Sequence, residues 1–258
     1  MKELIIIKIG GNVIDNEKEL KKFLTHFSHI KSPKILVHGG GKLATQLSAK
    51  LGIETKMVEG RRITDTETLK IATMVYAGWI NKNITAQLNA KEEKAIGLCG
   101  ADAFMIPSTK RKKGKVNYGF VGDVQIEKIN TKVLSMFIQQ NITPVIAPIT
   151  SDSKGQLLNT NADTIASSLA IALAKKFKVK LIYCFEKEGV LNKEKAIKEI
   201  NPIYYKELKH KQIITEGMIP KLDNAFNAIE NGVKTVIIGQ AKKLKQIIRS
   251  NAGTRISK

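Results

Sequence analysis

With 258 residues, 43% hydrophobic and 26% charged, the chain has the balance of an ordinary soluble globule and can bury a full core as one domain or two lobes. No apolar run approaches the ~20 residues of a membrane-spanning helix, so a membrane partner is not expected. The formal net charge of +20 leaves two readings open: clustered Lys and Arg on nucleic-acid phosphates, or a lysine-rich surface whose field steers anionic small molecules.

Residues 4–9, Leu-Ile-Ile-Ile-Lys-Ile, end at Gly10-Gly11-Asn12, and Lys34-Ile35-Leu36-Val37-His38 ends at Gly39-Gly40-Gly41. Apolar runs this short, stopped by glycine, predict buried parallel strands. Glycine at a strand end lets a phosphate or carboxylate approach bare backbone N–H groups, and a following helix N-terminus adds a favourable dipole. The first strand begins almost at Met1, which leaves no room for a leader, and Cys99 and Cys184 lie in apolar sequence. A reducing, cytoplasmic location is the expectation.

Between the two strands, residues 16–30 have helical spacing, with Leu20, Phe23, Leu24 and Phe27 on one face. A helix is predicted over 42–51, another from a capping box with Thr64 as N-cap and Glu67 reciprocating, and a third over 80–91. Residues 95–99 read as a third buried strand. From 104 to 124 the pattern changes to hairpins, with Lys110-Arg111-Lys112-Lys113-Gly114-Lys115 at an exposed tip. That run is the dense basic one, and few aromatics stand near it to stack bases, so nucleic acid is not the favoured partner. Strands at 142–147, 180–185 and 235–238 and helices at 162–176, 204–211 and 222–231 complete an α/β alternation around a mainly parallel sheet. A lobe boundary is placed near 176.

Several residues point to chemistry. Lys8 interrupts an apolar strand, which is costly unless its ammonium has a partner or reaches solvent. Its position before Gly10-Gly11 aims a cation at a bound phosphate. Asn159-Thr160-Asn161-Ala162-Asp163 precedes a long apolar helix; Asn161 as N-cap with Asp163 in the first turn would account for both. The sharper alternative puts Asn159 on a substrate and Asp163 between two lysines. Lys221 sits in the first turn of a helix, where a cation opposes the dipole unless an anion is present. Arg62 can clamp a carboxylate bidentately. Walker A and Rossmann spacings are absent, as are metal-ligand spacing and a Ser/His/Asp arrangement.

Taken together, Lys8-Ile9-Gly10-Gly11, His38-Gly39-Gly40-Gly41, Gly60-Arg61-Arg62-Ile63-Thr64, Gly119-Phe120-Val121-Gly122, Asn159-Thr160-Asn161-Ala162-Asp163 and Gly217-Met218-Ile219-Pro220-Lys221 resemble the amino-acid kinase family over nearly the whole chain. The resemblance implies a three-layer αβα sandwich of two lobes. Residues 1–176 would carry acceptor binding and dimerisation, and residues 177–258 the nucleotide. It implies ATP-dependent phosphorylation of the side-chain carboxylate of N-acetyl-L-glutamate, a step of arginine biosynthesis, with Mg²⁺ held mainly by the phosphates. Lys8 and Lys221 would stabilise the transferring phosphoryl group and Asp163 would hold them in place. Gly40, Gly41, Arg62 and Asn159 would bind the acyl amino acid. Gly10, Gly11, Glu186, Gly189, Val190, Leu191, Ile213 and Thr215 would border the nucleotide.

Two departures from the family pattern stand out: Glu186 occupies the place of an aspartate, and Cys99-Gly100-Ala101-Asp102-Ala103 is poorer in glycine. No helix precedes the first strand, so a homodimer insensitive to arginine is expected. Arg61 beside Arg62 leaves N-succinylglutamate open as the acceptor. Glutamate, carbamate and UMP kinase activities, or a non-catalytic nucleic-acid-binding module on this fold, are the remaining alternatives.

Overall fold

A computed structural model describes residues 1–58, 61–214 and 217–258. In chain order, the strand Glu3–Ile9 (β1) is followed by a short turn of helix Gly11–Ile14 (α1), the helix Glu17–Ser28 (α2), the strand Lys34–His38 (β2) and the helix Gly41–Lys50 (α3). The hairpin of Met57–Val58 (β3) and Arg61–Arg62 (β4) leads into Thr66–Thr73 (α4), which runs through a π-helical stretch, Met74–Ile80, into Asn81–Asn89 (α5). Ala95–Cys99 (β5), the hairpin of Ser108–Lys110 (β6) and Gly122–Val124 (β7), Thr131–Gln139 (α6), Thr143–Ala147 (β8) and the hairpin Ile149–Ser151 (β9) and Leu157–Asn159 (β10) come next. Ala162–Ala174 (α7) and Lys178–Phe185 (β11) cross the middle of the chain. The hairpin Leu191–Asn192 (β12) and Lys195–Ala196 (β13), Glu199–Ile200 (β14), Pro202–His210 (α8), Ile219–Glu230 (α9), Thr235–Gln240 (β15), Leu244–Ile248 (α10) and Thr254–Ile256 (β16) finish it.

Eight strands form one sheet in the order β14-β16-β15-β11-β1-β2-β8-β5. The pairs β1–β11, β1–β2, β2–β8, β5–β8 and β11–β15 are parallel, and β15–β16 is antiparallel. Period-2 alternation divides the apolar residues of β1 between two cores. Leu4 and Ile6 join the core under α7 and α9, while Ile5, Ile7 and Ile9 join the core under α2 and α5. The apolar stripe of α2, Leu20, Phe23, Leu24 and Phe27, is fully inside the second core, each side chain contributing about 1.5–3 kcal/mol by burial. The α7 helix is buried on every side, which explains its continuous apolar sequence.

Two expectations need correction. The helix after β4 is capped by Asp65, whose Oδ1 accepts from Thr68 N at 2.8 Å, and not by Thr64. Thr64 is held in extended pairing instead: its N–H donates to Tyr118 O (2.9 Å) and its carbonyl accepts from Phe120 N (2.7 Å). Glu67 pairs with Lys70 at 2.8 Å rather than closing a capping box. The helix expected from Ile80 is also the end of a longer one that runs unbroken from Thr66 through the π-helical turn. Position 176 falls between α7 and β11, and the sheet continues across it through the β1–β11 pairing.

Candidate active site

β1 lies mid-sheet, with β2 on one side and β11 on the other. In open α/β sheets ligands gather beyond the carboxyl ends of strands where the order reverses, and here that point is the end of β1. Alternation puts Lys8 on the same face as Leu4 and Ile6, toward α7 and α9. Each of those helices offers a charged group in its first turn. Asn161 caps α7, accepting from Asp163 N (2.8 Å) and Thr164 N (3.1 Å), which brings Asp163 over the strand end. Lys221 enters from the first turn of α9.

One carboxylate serves both lysines. Lys8 Nζ lies 2.7 Å from Asp163 Oδ1, and Lys221 Nζ donates to Asp163 Oδ2. Burial by itself would raise the Asp163 carboxyl, but Lys8 and Lys221 outweigh it and hold the group well below the usual carboxylate range. Two cations on one anion leave a net positive charge at the cleft floor, where an anionic ligand completes the balance. Tyr183 donates its hydroxyl to the backbone carbonyl of Asp163 (3.2 Å), and burial raises its pKa, so it stays protonated. Burial likewise pushes the Cys184 thiol up to about 12, which makes it an inert core group.

The glycine turns close the other side. Gly39 N donates to Ile9 O at 3.1 Å, tying the ends of β1 and β2 together. Gly40 has φ +147°, and a Cβ there would lie 2.2 Å from Ile80 Cδ1, so glycine is required twice over. His38, fully buried and driven down to about 4 by burial, is neutral. Its Nδ1 donates to Gly39 O (2.8 Å) and its Nε2 accepts from Asn81 Nδ2 (3.1 Å). Arg62 is buried against this turn and donates to Gly41 O (2.9 Å), Thr45 Oγ1 (2.8 Å) and Thr55 Oγ1 (3.1 Å). Three of the five guanidinium N–H groups are thereby used. Asn159 Nδ2 donates to Thr64 Oγ1 (3.0 Å).

Lys8, Gly11, Gly40, Gly41, Arg62, Asn159 and Asp163 line one cleft of about 260 Å³. Four larger hollows among the described residues, of about 500, 530, 390 and 320 Å³, contain none of them. Lys221 reaches the cleft floor through Asp163, and a Cβ on Gly10 would stand 3.8 Å from Lys8 Nζ. The remaining expected residues gather elsewhere, beyond β11. The Glu186 carbonyl accepts from Gln240 Nε2 (2.9 Å). A Cβ on Gly189 would meet Thr254 Oγ1 at 2.5 Å, Val190 is buried with its N–H donating to the same Thr254 Oγ1 (2.8 Å), and Leu191 opens the β12–β13 hairpin. Ile213 packs against the core. Thr215 lies outside the described residues, as does Gly60 of the Arg62 segment.

Sequence reasoning missed three residues at the acceptor side. Asn81 carries the polar link to His38, and Tyr76 and Arg111 line the cleft together with Arg61, which the sequence had singled out. Arg111 belongs to the basic run, whose Lys112, Lys113 and Lys115 are exposed as expected. It departs from them because Asp123, across the hairpin, accepts from its Nε (3.0 Å) and Nη2 (2.5 Å). The carboxylate of Asp123, directly after Gly122 in the facing strand of the hairpin, was the available signal.

The sequence model of the amino acid kinase family matches residues 3–240. An acetylglutamate kinase of Cytophaga hutchinsonii is 56% identical over 99% of this chain and 99% of its own length. One of Parabacteroides distasonis is 52% identical over 99% and 100%. Among solved structures, smu.665 from Streptococcus mutans UA159 superposes with a TM-score of 0.81 at 27% identity, covering 100% of this chain and 99% of that one.

Proposed function

The chain belongs to the amino acid kinase family, and from that premise we propose that it transfers the γ-phosphoryl group of ATP to the side-chain carboxylate of N-acetyl-L-glutamate, a step of arginine biosynthesis. The observation that carries the reading is the pair Lys8 and Lys221 on the single carboxylate of Asp163 at the cleft floor. A glutamyl carboxylate is ionised at neutral pH, so no general base is needed. One of its oxygens bonds to the γ-phosphorus as the bond to the β–γ bridging oxygen breaks. ADP leaves with that electron pair, and the product is N-acetyl-L-glutamyl 5-phosphate. The obstacle is repulsion between two anions, which the lysines and the Gly11 backbone offset by charge and position. The acyl group keeps the amine from attacking the acyl phosphate and cyclising.

On this reading Arg62 takes the α-carboxylate, and Gly40, Gly41 and Asn159 hold the acyl amide on the β2 side of β1. The nucleotide lies on the β11 side, bordered by Gly10 and Gly11 and, in the 177–258 lobe, by Glu186, Gly189, Val190, Leu191 and Ile213. The order β11-β1-β2 supports this division, because it sets Lys8 between the two ligands. Mg²⁺ enters with ATP as part of the substrate, held by phosphates and water; among the described residues no group of three or more His, Cys, Asp or Glu is gathered for a metal. No helix among them is long and apolar enough to cross a membrane. The enzyme works as a homodimer, in the cytoplasm where ATP is supplied.

The test is to trap the acyl phosphate with hydroxylamine in the presence of ATP, Mg²⁺ and N-acetyl-L-glutamate. A hydroxamate that depends on ATP and on the acceptor is expected. Its absence with folded protein would sink the reading.

A further inference from the structure

Resting on that reading of the site, we infer that Tyr205 is a positioning residue for phosphoryl transfer: from α8 it fixes the first turn of α9, and so the place of Lys221. Among the described residues, the Lys221 side chain has one polar partner, Asp163. A flexible four-carbon stem separates that contact from the backbone. Asp163 holds the tip of the lysine, and α9 must hold its base.

The start of α9 is poorly made to do so alone. α2, α4, α6, α7 and α8 each begin with an Asn or Asp whose side chain accepts from a first-turn N–H. The N-cap of α9 is Met218, whose side chain caps nothing. The charged residue of the first turn is Lys221 itself, a cation set against the dipole. Leu222, Ala225 and Phe226 bury the inner face of the helix, but apolar contact is non-directional and tolerates a small slide or roll.

Tyr205 supplies the direction. Its hydroxyl donates to Asp223 Oδ1 at 2.6 Å and lies 3.4 Å from Ile219 O. It therefore meets α9 two residues before Lys221 and two residues after it. Its ring is buried and stacks on Phe226, with centroids 5.0 Å apart. α8 is itself well seated: Asn201 caps it by accepting from Tyr204 N (2.8 Å), and Leu208 is fully buried. Burial and the Asp223 carboxylate push the Tyr205 hydroxyl above its ordinary range, so it stays a donor. A tie that added only stability would serve as well anywhere along the two helices. This one is set at the turn that presents Lys221, where a displacement of about 1 Å can cost about 100-fold in rate.

The experiment reads kcat and both KM values by hydroxamate trapping in wild type, Tyr205→Phe, Asp223→Asn and Asp223→Leu, and repeats Tyr205→Phe in a Lys221→Ala background. Tyr205→Phe keeps the stacked ring and loses the hydroxyl. Its kcat is expected to fall about fivefold, with the acceptor KM within about twofold of wild type, the pattern of an interaction used in the transition state. Asp223→Leu should match it. Asp223→Asn, which keeps an acceptor for the hydroxyl, should recover most of the loss. In the Lys221→Ala background Tyr205→Phe should lower kcat by less than about twofold, because the lysine it serves is gone. A merely structural tie would lower the urea midpoint and leave kcat alone, or lower kcat equally in both backgrounds. Three results overturn the inference while wild-type turnover keeps the kinase reading: a Tyr205→Phe kcat within about twofold of wild type, an equal fall in both backgrounds, or falls of the same size in Asp223→Asn and Asp223→Leu. If Lys221→Ala is too slow to measure, the two Asp223 variants decide. A wild type that makes no hydroxamate overturns both.

Discussion

Asp163 is the residue on which the charge arithmetic of the site turns. Its folded pKa lies below the unfolded value, so its contribution to stability is present above the ordinary carboxylate range and is lost as pH falls through the folded pKa. Asp163→Asn should remove that acid-sensitive part and leave two cations close together with no counter-charge. The expected cost is about 3 kcal/mol in urea unfolding at neutral pH, with kcat down about 100-fold. A variant whose kcat stays within about twofold of wild type would show that the lysines do not need Asp163 to hold them. The pairing was readable as one of two options from Asn161 and Asp163 alone. Local pattern could not choose between a plain helix start and a lysine clamp, because both place the same residues in the same first turn.

At the scale of elements, the acceptor side is made by hairpins, and its least replaceable joint is Gly119 against Thr64. Gly119→Ala would force a Cβ into a backbone carbonyl at a positive φ, which costs about 1–3 kcal/mol in strain before any displacement. Since that joint carries Arg62 on one side and Arg111 on the other, KM for the acceptor should rise about tenfold with a smaller change in kcat. Steady-state kinetics read this directly; an unchanged KM would mean that the hairpins do not position the acceptor. The long elements were legible beforehand. The α2 stripe, the strand pairs ending in glycine and the buried α7 each carry their own periodicity. The start of α4 was misplaced because Thr64 satisfies a local capping rule yet spends its backbone on residues more than fifty positions away. The π-helical stretch was invisible for a similar reason: residues 74–80 have no periodicity that separates a helix from a linker.

For the whole molecule, the sheet order puts β1 between the two proposed ligands, and a positive surface surrounds a cleft meant for anions. At the β5 edge, the π-helical stretch leaves Trp79 and Met74 exposed, at 69% and 54%, apolar side chains that a second copy could cover. Sedimentation at micromolar concentration should give twice the 28.5 kDa chain mass, and Trp79→Glu should shift it toward monomer. A monomeric wild type would exclude the homodimer. The amino-acid sequence by itself determined the α/β class and the glycine-ended strands, because periodicity and helix capping are short-range and survive in one dimension, and it singled out Lys8, Arg62, Asn159, Asp163 and Lys221 as candidates. Tertiary structure alone decided that Lys8 and Lys221 share one carboxylate, that His38 and Asn81 brace the acceptor turn, and that Arg111 leaves its basic run to join Arg61 in the cleft. Those are encounters between segments far apart in the chain, set by sheet order and by which face each side chain takes, and no local pattern records them.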